Sequence, residues 1–222
     1  MSNNLLTYKL SEPLNGATAA VIEIHAGDGN LRIGQITAGE QVLASGTLQY
    51  FENQGLPKRN LEMTNHQASL SLRGGAEKRP RFRLPWSACN GATEWQIHLN
   101  PAVTSAITAH SDGGNIKLDL AGMEVTRLSA DTGGGNIEVV LSDKSAHLSM
   151  TARTGAGNVV VQIPSGVAAL IHATTGLGKA IVDPCFSKID KDTYQSSDFD
   201  SAIKKIEIKL HSGAGNVSVN SL

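Results

Sequence analysis

GGGNIEVVLSDKSAHLSMTARTGAGNVVVQI, residues 133–163, says one phrase twice: GGGNIEVVL, then GAGNVVVQI. In each, Gly-x-Gly-Asn leads into an alternating apolar run. Ile137, Val139 and Leu141 fall on one face of an extended chain and Glu138 on the other, the pattern of a half-buried strand. A second apolar run, Leu148–Ala152, precedes the next turn.

Outward from this stretch the phrase recurs. It stands at Gly27-Asp28-Gly29-Asn30, Asp112-Gly113-Gly114-Asn115, Gly133-Gly134-Gly135-Asn136, Gly155-Ala156-Gly157-Asn158 and Gly213-Ala214-Gly215-Asn216, with a degenerate copy at Gly176-Leu177-Gly178-Lys179. The fourth positions fall at 115, 136, 158 and 179, in steps of 21, 22 and 21. A step of 37 then leads to Asn216, and a gap of 85 separates Asn30 from Asn115. A period of this length marks a stacked array. A unit of two short strands cannot bury its own apolar face, whereas units stacked about 4.8 Å apart build sheets around one continuous core.

The reading is therefore all-β: a right-handed, single-stranded parallel β-helix (a β-solenoid) with coils of about 21 residues. Residues 102–222 form its regular part, with an insertion loop at 184–205. Residues 1–101, where runs at 42–51, 60–63, 68–72 and 95–99 read as strands, form a less regular N-terminal β segment that continues and caps it. The two parts are expected to be one continuous domain. The glycines of the motif permit positive φ or close backbone approach at a corner. Its asparagines tolerate the left-handed region, bond nearby backbone and stack into an amide ladder. A phosphate loop needs a helix after its glycines, and here a strand follows every time.

Bulk properties exclude more than they assign. The chain has 222 residues, enough to bury a substantial core, and a formal net charge of −1, which gives no field favouring nucleic acid or an anionic membrane. Nothing approaches the roughly 18–20 apolar residues of a membrane span. The N-terminus lacks the pattern of a secretory signal. The chain thus reads as soluble and cytoplasmic, or extracytoplasmic if a targeting segment was removed. Cys89 and Cys185 lack metal-binding spacing and read as two free thiols, with a single disulfide as the alternative.

Few residues suggest chemistry. Two positions before each motif, His25, His110, Asp131, Arg153, Thr174 and His211 form an outward column. His110, Asp131 and Arg153 are the candidate interaction surface. A metal needs three or more convergent ligands, and a catalytic His–Asp pair needs a nucleophile; the column supplies neither. The run Lys78–Arg83 with Trp86 has the elements of single-strand nucleic-acid binding, but is short and reads better as a charge-protected strand edge. Asp119, Glu138 and Gln162, taken as equivalent exterior positions, make a weak carboxylate groove. The last motif ends almost at the C-terminus, so its strand, with Val217 and Val219, is expected to expose an edge that pairs with the insertion, a second copy or a partner.

Taken in order, the first GDGN coil followed by GTLQY, EWQIHLNPAV (94–103), VTRLSADTGGGNIEVVL, and a PSGV turn before HATTGLGKAIVD resemble the toast-rack β-solenoid domain. That domain occurs in adhesin-type proteins and in the extramembrane regions of bacterial proteins responding to cell-wall-active antibiotics. The resemblance spans about residues 18–219. It implies a right-handed β-helix and a non-catalytic role, with no catalytic residue to carry over. Many relatives have transmembrane helices beside the domain. The expectation is a non-enzymatic scaffold for protein–protein interaction or self-association, in an envelope-stress or adhesin setting. It has no cofactor, catalytic residue, metal, nucleic acid or membrane span, and a homodimer through the terminal coil is its simplest assembly. The alternative is a carbohydrate-binding or carbohydrate-acting β-helix.

Overall fold

Alternation along the chain becomes burial alternation in the structure. In β-strand Ala19–His25 every second residue is buried, and in Ile137–Val140 the two interior positions, Ile137 and Val139, are buried while Glu138 is exposed. The computed structural model describes residues 4–37, 39–75 and 93–222. In chain order the strands are β1 (Leu5–Pro13), β2 (Ala19–His25), β3 (Asn30–Gln35), β4 (Val42–Phe51), β5 (Lys58–Thr64), β6 (Gln67–Arg73), β7 (Glu94–Leu99), β8 (Thr104–Ser111), β9 (Ile116–Asp119) and β10 (Val125–Thr132). They continue with β11 (Ile137–Val140), β12 (His147–Ala156), β13 (Val159–Ile163), β14 (Ala168–Leu177), β15 (Ala180–Val182), β16 (Ser187–Asp190), β17 (Thr193–Gln195), β18 (Lys205–Ala214) and β19 (Val217–Ser221). One turn of 3₁₀ helix, Glu52–Gln54, follows β4.

These strands form two sheets. The first has nine strands in the order β1-β4-β7-β3-β9-β11-β13-β19-β15. The second has ten, in the order β16-β17-β14-β18-β12-β10-β8-β2-β6-β5. Within each sheet the central strands run parallel and in register: Ile137 pairs with Ile116 on one side and Val159 on the other. The ends are antiparallel, through β1, β4 and β5 at one end and β16 and β17 at the other, so both sheets are mixed.

Each parallel rung places one strand in the second sheet and the next strand in the first. Inward side chains of both sheets meet in one cluster, from Ile22, Ile24 and Leu31 through Ile107, Leu118 and Val139 to Ile208 and Val219. Trp95 lies in it, 1% exposed, and donates its indole N–H to the Gln49 carbonyl at 3.0 Å. That bond satisfies the ring's single donor. Glu12 is also buried, and its carboxylate is held by Arg59 Nη1 at 2.9 and 3.1 Å.

Rung order departs from chain order twice. β18 lies between β12 and β14, and β19 between β13 and β15, so the last rung in sequence is the second to last in space. At the other end β2 lies between β6 and β8, and β3 between β7 and β9. The expected open edge at Val217 and Val219 is therefore corrected. Both residues are fully buried and paired on two sides, because the rung of residues 168–182 stacks over them. The insertion does not pair with the last strand either. Its β17 runs antiparallel to β14 and covers that end of the second sheet. The gap of 85 residues holds β4, the β5–β6 hairpin and β7, so it mixes antiparallel strands with one further parallel pair of strands.

Candidate interaction surface

The corner motif fixes the spacing of everything on the outer faces. Its asparagines stack in a continuous ladder. Asn115 N–H donates to Asn30 Oδ1 at 2.9 Å, Asn136 N–H to Asn115 Oδ1 at 2.8 Å, and Asn158 N–H to Asn136 Oδ1 at 2.8 Å. Asn216 N–H then donates to Asn158 Oδ1 at 2.8 Å, and Lys179 N–H to Asn216 Oδ1 at 3.0 Å. Each side chain satisfies a corner N–H of the next rung that no strand ladder reaches. The ladder stops at Lys179 because lysine has no acceptor to offer.

The third motif position is glycine for a steric reason. A Cβ on Gly135 would lie 2.1 Å from the Gly114 carbonyl oxygen, and one on Gly215 2.0 Å from that of Gly157. Gly29, Gly114, Gly157 and Gly178 are equally crowded. The first-position glycines Gly133, Gly155, Gly176 and Gly213 face a carbonyl at 2.2–2.6 Å in the same sense. Gly27 differs: nothing lies near its Cβ position, and its φ of +65° is the constraint.

A second column was missed in the sequence. Ser111, Thr132, Thr154, Ser212 and Thr175 occupy the position just before each motif and turn inward. Their hydroxyls donate to the carbonyls of Gly29, Gly114, Gly135, Gly157 and Gly215 at 2.7–2.8 Å. The signal was present, a Ser or Thr before five of the six motifs, but alternation marked these positions as apolar.

On this frame the outward column comes together. Across the second sheet, strand register sets Arg73 beside His25, His25 beside His110, His110 beside Asp131, Asp131 beside Arg153, Arg153 beside His211, and His211 beside Thr174. His25 and His110 approach to 5.4 Å between ring centroids. His110 Nε2 lies 3.2 Å from Asp112 Oδ1. Burial, then the positive charge of Arg73 and the neighbouring His110, hold His25 below the ordinary imidazole range. Thr174 Oγ1 lies 3.0 Å from His211 Nδ1. Among the described residues no group of three or more His, Cys, Asp or Glu is placed to hold a metal ion.

The outer face of the first sheet carries an open depression of about 280 Å³ over Gly34, lined by Arg32, Gln96, His98, Lys117 and Asp119. Its two cations are already paired, Arg32 with Glu94 at 3.0 Å and Lys117 with Glu138 at 2.5 Å. The expected equivalence of Asp119 and Glu138 fails. Glu138 registers with Lys117 and Val160, whereas Asp119 registers with Val140, one outward row further on. Asp119 caps a turn instead, accepting from Ala121 N–H at 3.2 Å. Cys185 is a free, exposed thiol whose pKa is pushed up by partial burial and by Asp183 beside it. Cys89, the basic run 78–83 and Trp86 lie outside the described residues. No described helix is long and apolar enough to cross a membrane.

Two mixed sheets tied by ladders at a glycine corner define a β-sheet framework. The N-terminal domain family of toast_rack, DUF2154, matches residues 2–162, and the chain belongs to that family. Among solved structures, the chain superimposes on a "putative cell adhesion protein" from Clostridium sporogenes with a TM-score of 0.87 at 22% identity, covering 99% of this chain and 100% of that one. This likeness shows a shared fold. A "putative adhesin" from Bacteroides fragilis is similar at 12% identity over 98% of both chains, with a TM-score of 0.31. No curated protein matches the chain.

Proposed function

We propose that this chain is a non-enzymatic β-solenoid scaffold for protein–protein interaction or self-association, wound as a right-handed parallel β-helix with antiparallel caps, and that it serves in an adhesion or envelope-stress setting. The 1–101 and 102–222 parts act as one body in this reading. One observation carries it: an unbroken outward row of polar and charged side chains, Arg73 to Thr174, crosses seven strands of the second sheet in register. Strands in register hold the row at fixed spacing, so a partner meets a preorganised surface and loses little freedom in matching it. Membership of the toast_rack family supports the reading.

The test is light scattering on a sizing column over a concentration series, for the parent chain and for Asp131→Lys and Arg153→Glu. Association that strengthens with concentration and weakens in both variants is expected. Association indifferent to every substitution along the row would remove the surface from consideration.

A further inference from the structure

We propose that residues 205–222 are an exchangeable rung: the slot they fill between β12–β13 and β14–β15 accepts the same segment from a second copy of the chain, so copies join by exchange and not by stacking end to end. This rests on the self-association reading above.

The slot has two complete walls. β18 registers with β12 from His147 to Ala156 and with β14 from Ala168 to Leu177, while β19 registers with β13 and β15. Ile206, Ile208, Leu210, Val217 and Val219 are each 1% exposed or less within it. The side-chain bonds stay local. Ser212 Oγ donates to the Gly157 carbonyl at 2.7 Å, Asn216 bridges Asn158 and Lys179, and Ser165 Oγ donates to the Leu222 carbonyl. None of these partners lies before Gly157, and the wall strands reach back only to His147. Every wall residue is therefore present in any other copy.

Only the connection from 183 to 204 ties the segment to its own slot. Its middle is anchored by β17 on β14 and by Ser196, whose N–H donates to the Ala169 carbonyl at 2.9 Å, while the Lys204 carbonyl accepts from Ala168 N–H at 3.1 Å, which leaves residues 197–203 as the link. That link is mostly exposed and bends through short turns, Phe199 N–H to Ser196 O at 3.2 Å and Ala202 N–H to Asp198 O at 2.9 Å. An exchanged pair keeps every slot contact and alters only the link, the condition under which identical elements swap between protomers.

End-to-end stacking is disfavoured by the free edge itself. β15 is three residues long, and the asparagine ladder ends at Lys179, which offers a further rung no acceptor. A short strand and an edge lysine are how sheets resist growth.

The experiment uses two full-length chains in a Cys89→Ser, Cys185→Ser background. One carries Thr151→Cys and the other, tagged to differ in mass, carries Lys209→Cys. These outward positions are register partners across β12 and β18. The chains are unfolded together, refolded over a concentration series and oxidised. Expected is a mixed disulfide dimer whose share rises in proportion to concentration while monomer dominates. Folded chains that stay uncross-linked monomers overturn the proposal. A dimer seen by light scattering without the mixed disulfide overturns exchange but leaves self-association through another surface standing. Ser149→Cys with Glu207→Cys, the register pair two residues earlier, repeats the test should the first pair disturb folding.

Discussion

Asn216 N–H bonds to Asn158 Oδ1 at 2.8 Å although 58 positions separate them in the chain. Asn136, 22 positions before Asn158, makes the same contact on Asn158's other side. The bond is identical whether the neighbouring rung comes from the next repeat or from the end of the chain. The corner thus reads chemistry and ignores sequence distance.

Removing one step should loosen the corner measurably. Asn136→Ala deletes the acceptor of Asn158 N–H at an exposed position. It should cost about 1 kcal/mol, the usual net worth of such a bond. In a chain of this size that is a fall of about 2–4 °C in Tm. Asn136→Asp keeps an acceptor oxygen and should lose less. Thermal melts followed by circular dichroism compare the two.

Adjacent glycines should respond unequally. Gly135→Ala drives a Cβ to 2.1 Å from the Gly114 carbonyl oxygen, and the two rungs must part to admit it. An overpacking cost of about 1–3 kcal/mol is expected. At Gly134 the nearest atom to a Cβ is 3.9 Å away, so Gly134→Ala should change stability by less than about 0.5 kcal/mol. Urea midpoints of the two variants, with unchanged m-values, check this directly.

Thr154→Val tests the hydroxyl column. The shape is kept, but the Gly135 carbonyl loses the donor it meets at 2.8 Å in a buried setting. The expected loss is about 1–3 kcal/mol. Thr154→Ser retains the hydroxyl and should sit between Thr154→Val and the parent chain in the same melts.

Acid should weaken the fold through His25. In the folded chain its pKa lies below the ordinary imidazole value of 6.5, chiefly through burial and then Arg73. Around and below pH 6.5 the unfolded chain therefore binds the proton more readily than the folded one, and stability falls as pH falls until the folded-state pKa is passed. His25→Gln should flatten that part of the profile. Tm measured from pH 7.5 to 5 for both chains decides it, and identical slopes would assign the acid sensitivity to other groups.

Much of this protein was written locally. Alternation at Ile116–Leu120 and Ile137–Leu141 gave strands with one buried face, and the spaced Gly-x-Gly-Asn gave their corners. Other features carry no local mark. β1 was not anticipated, because its exposed first half, Leu5–Thr7, breaks the apolar alternation expected of a buried strand. β16 and β17 lack buried residues altogether; β17 exists through pairing with β14, and β16 through pairing with β17. The outward row was legible by position, but its order was not: His211 lies between Arg153 and Thr174, not after both.

The sequence by itself determined the two-strand unit, the period and the chemistry of the corner. Those depend on backbone alternation and on contacts every rung offers in the same form. Which rung stacks on which was decided only by the tertiary structure. Each rung presents the same glycine carbonyl, hydroxyl and asparagine amide, so the local code specifies a neighbour of the right kind and no particular one. The choice falls to the connections and the caps: β17 lies across β14, and the link of 183–204 carries residues 205–222 back into the slot beneath it.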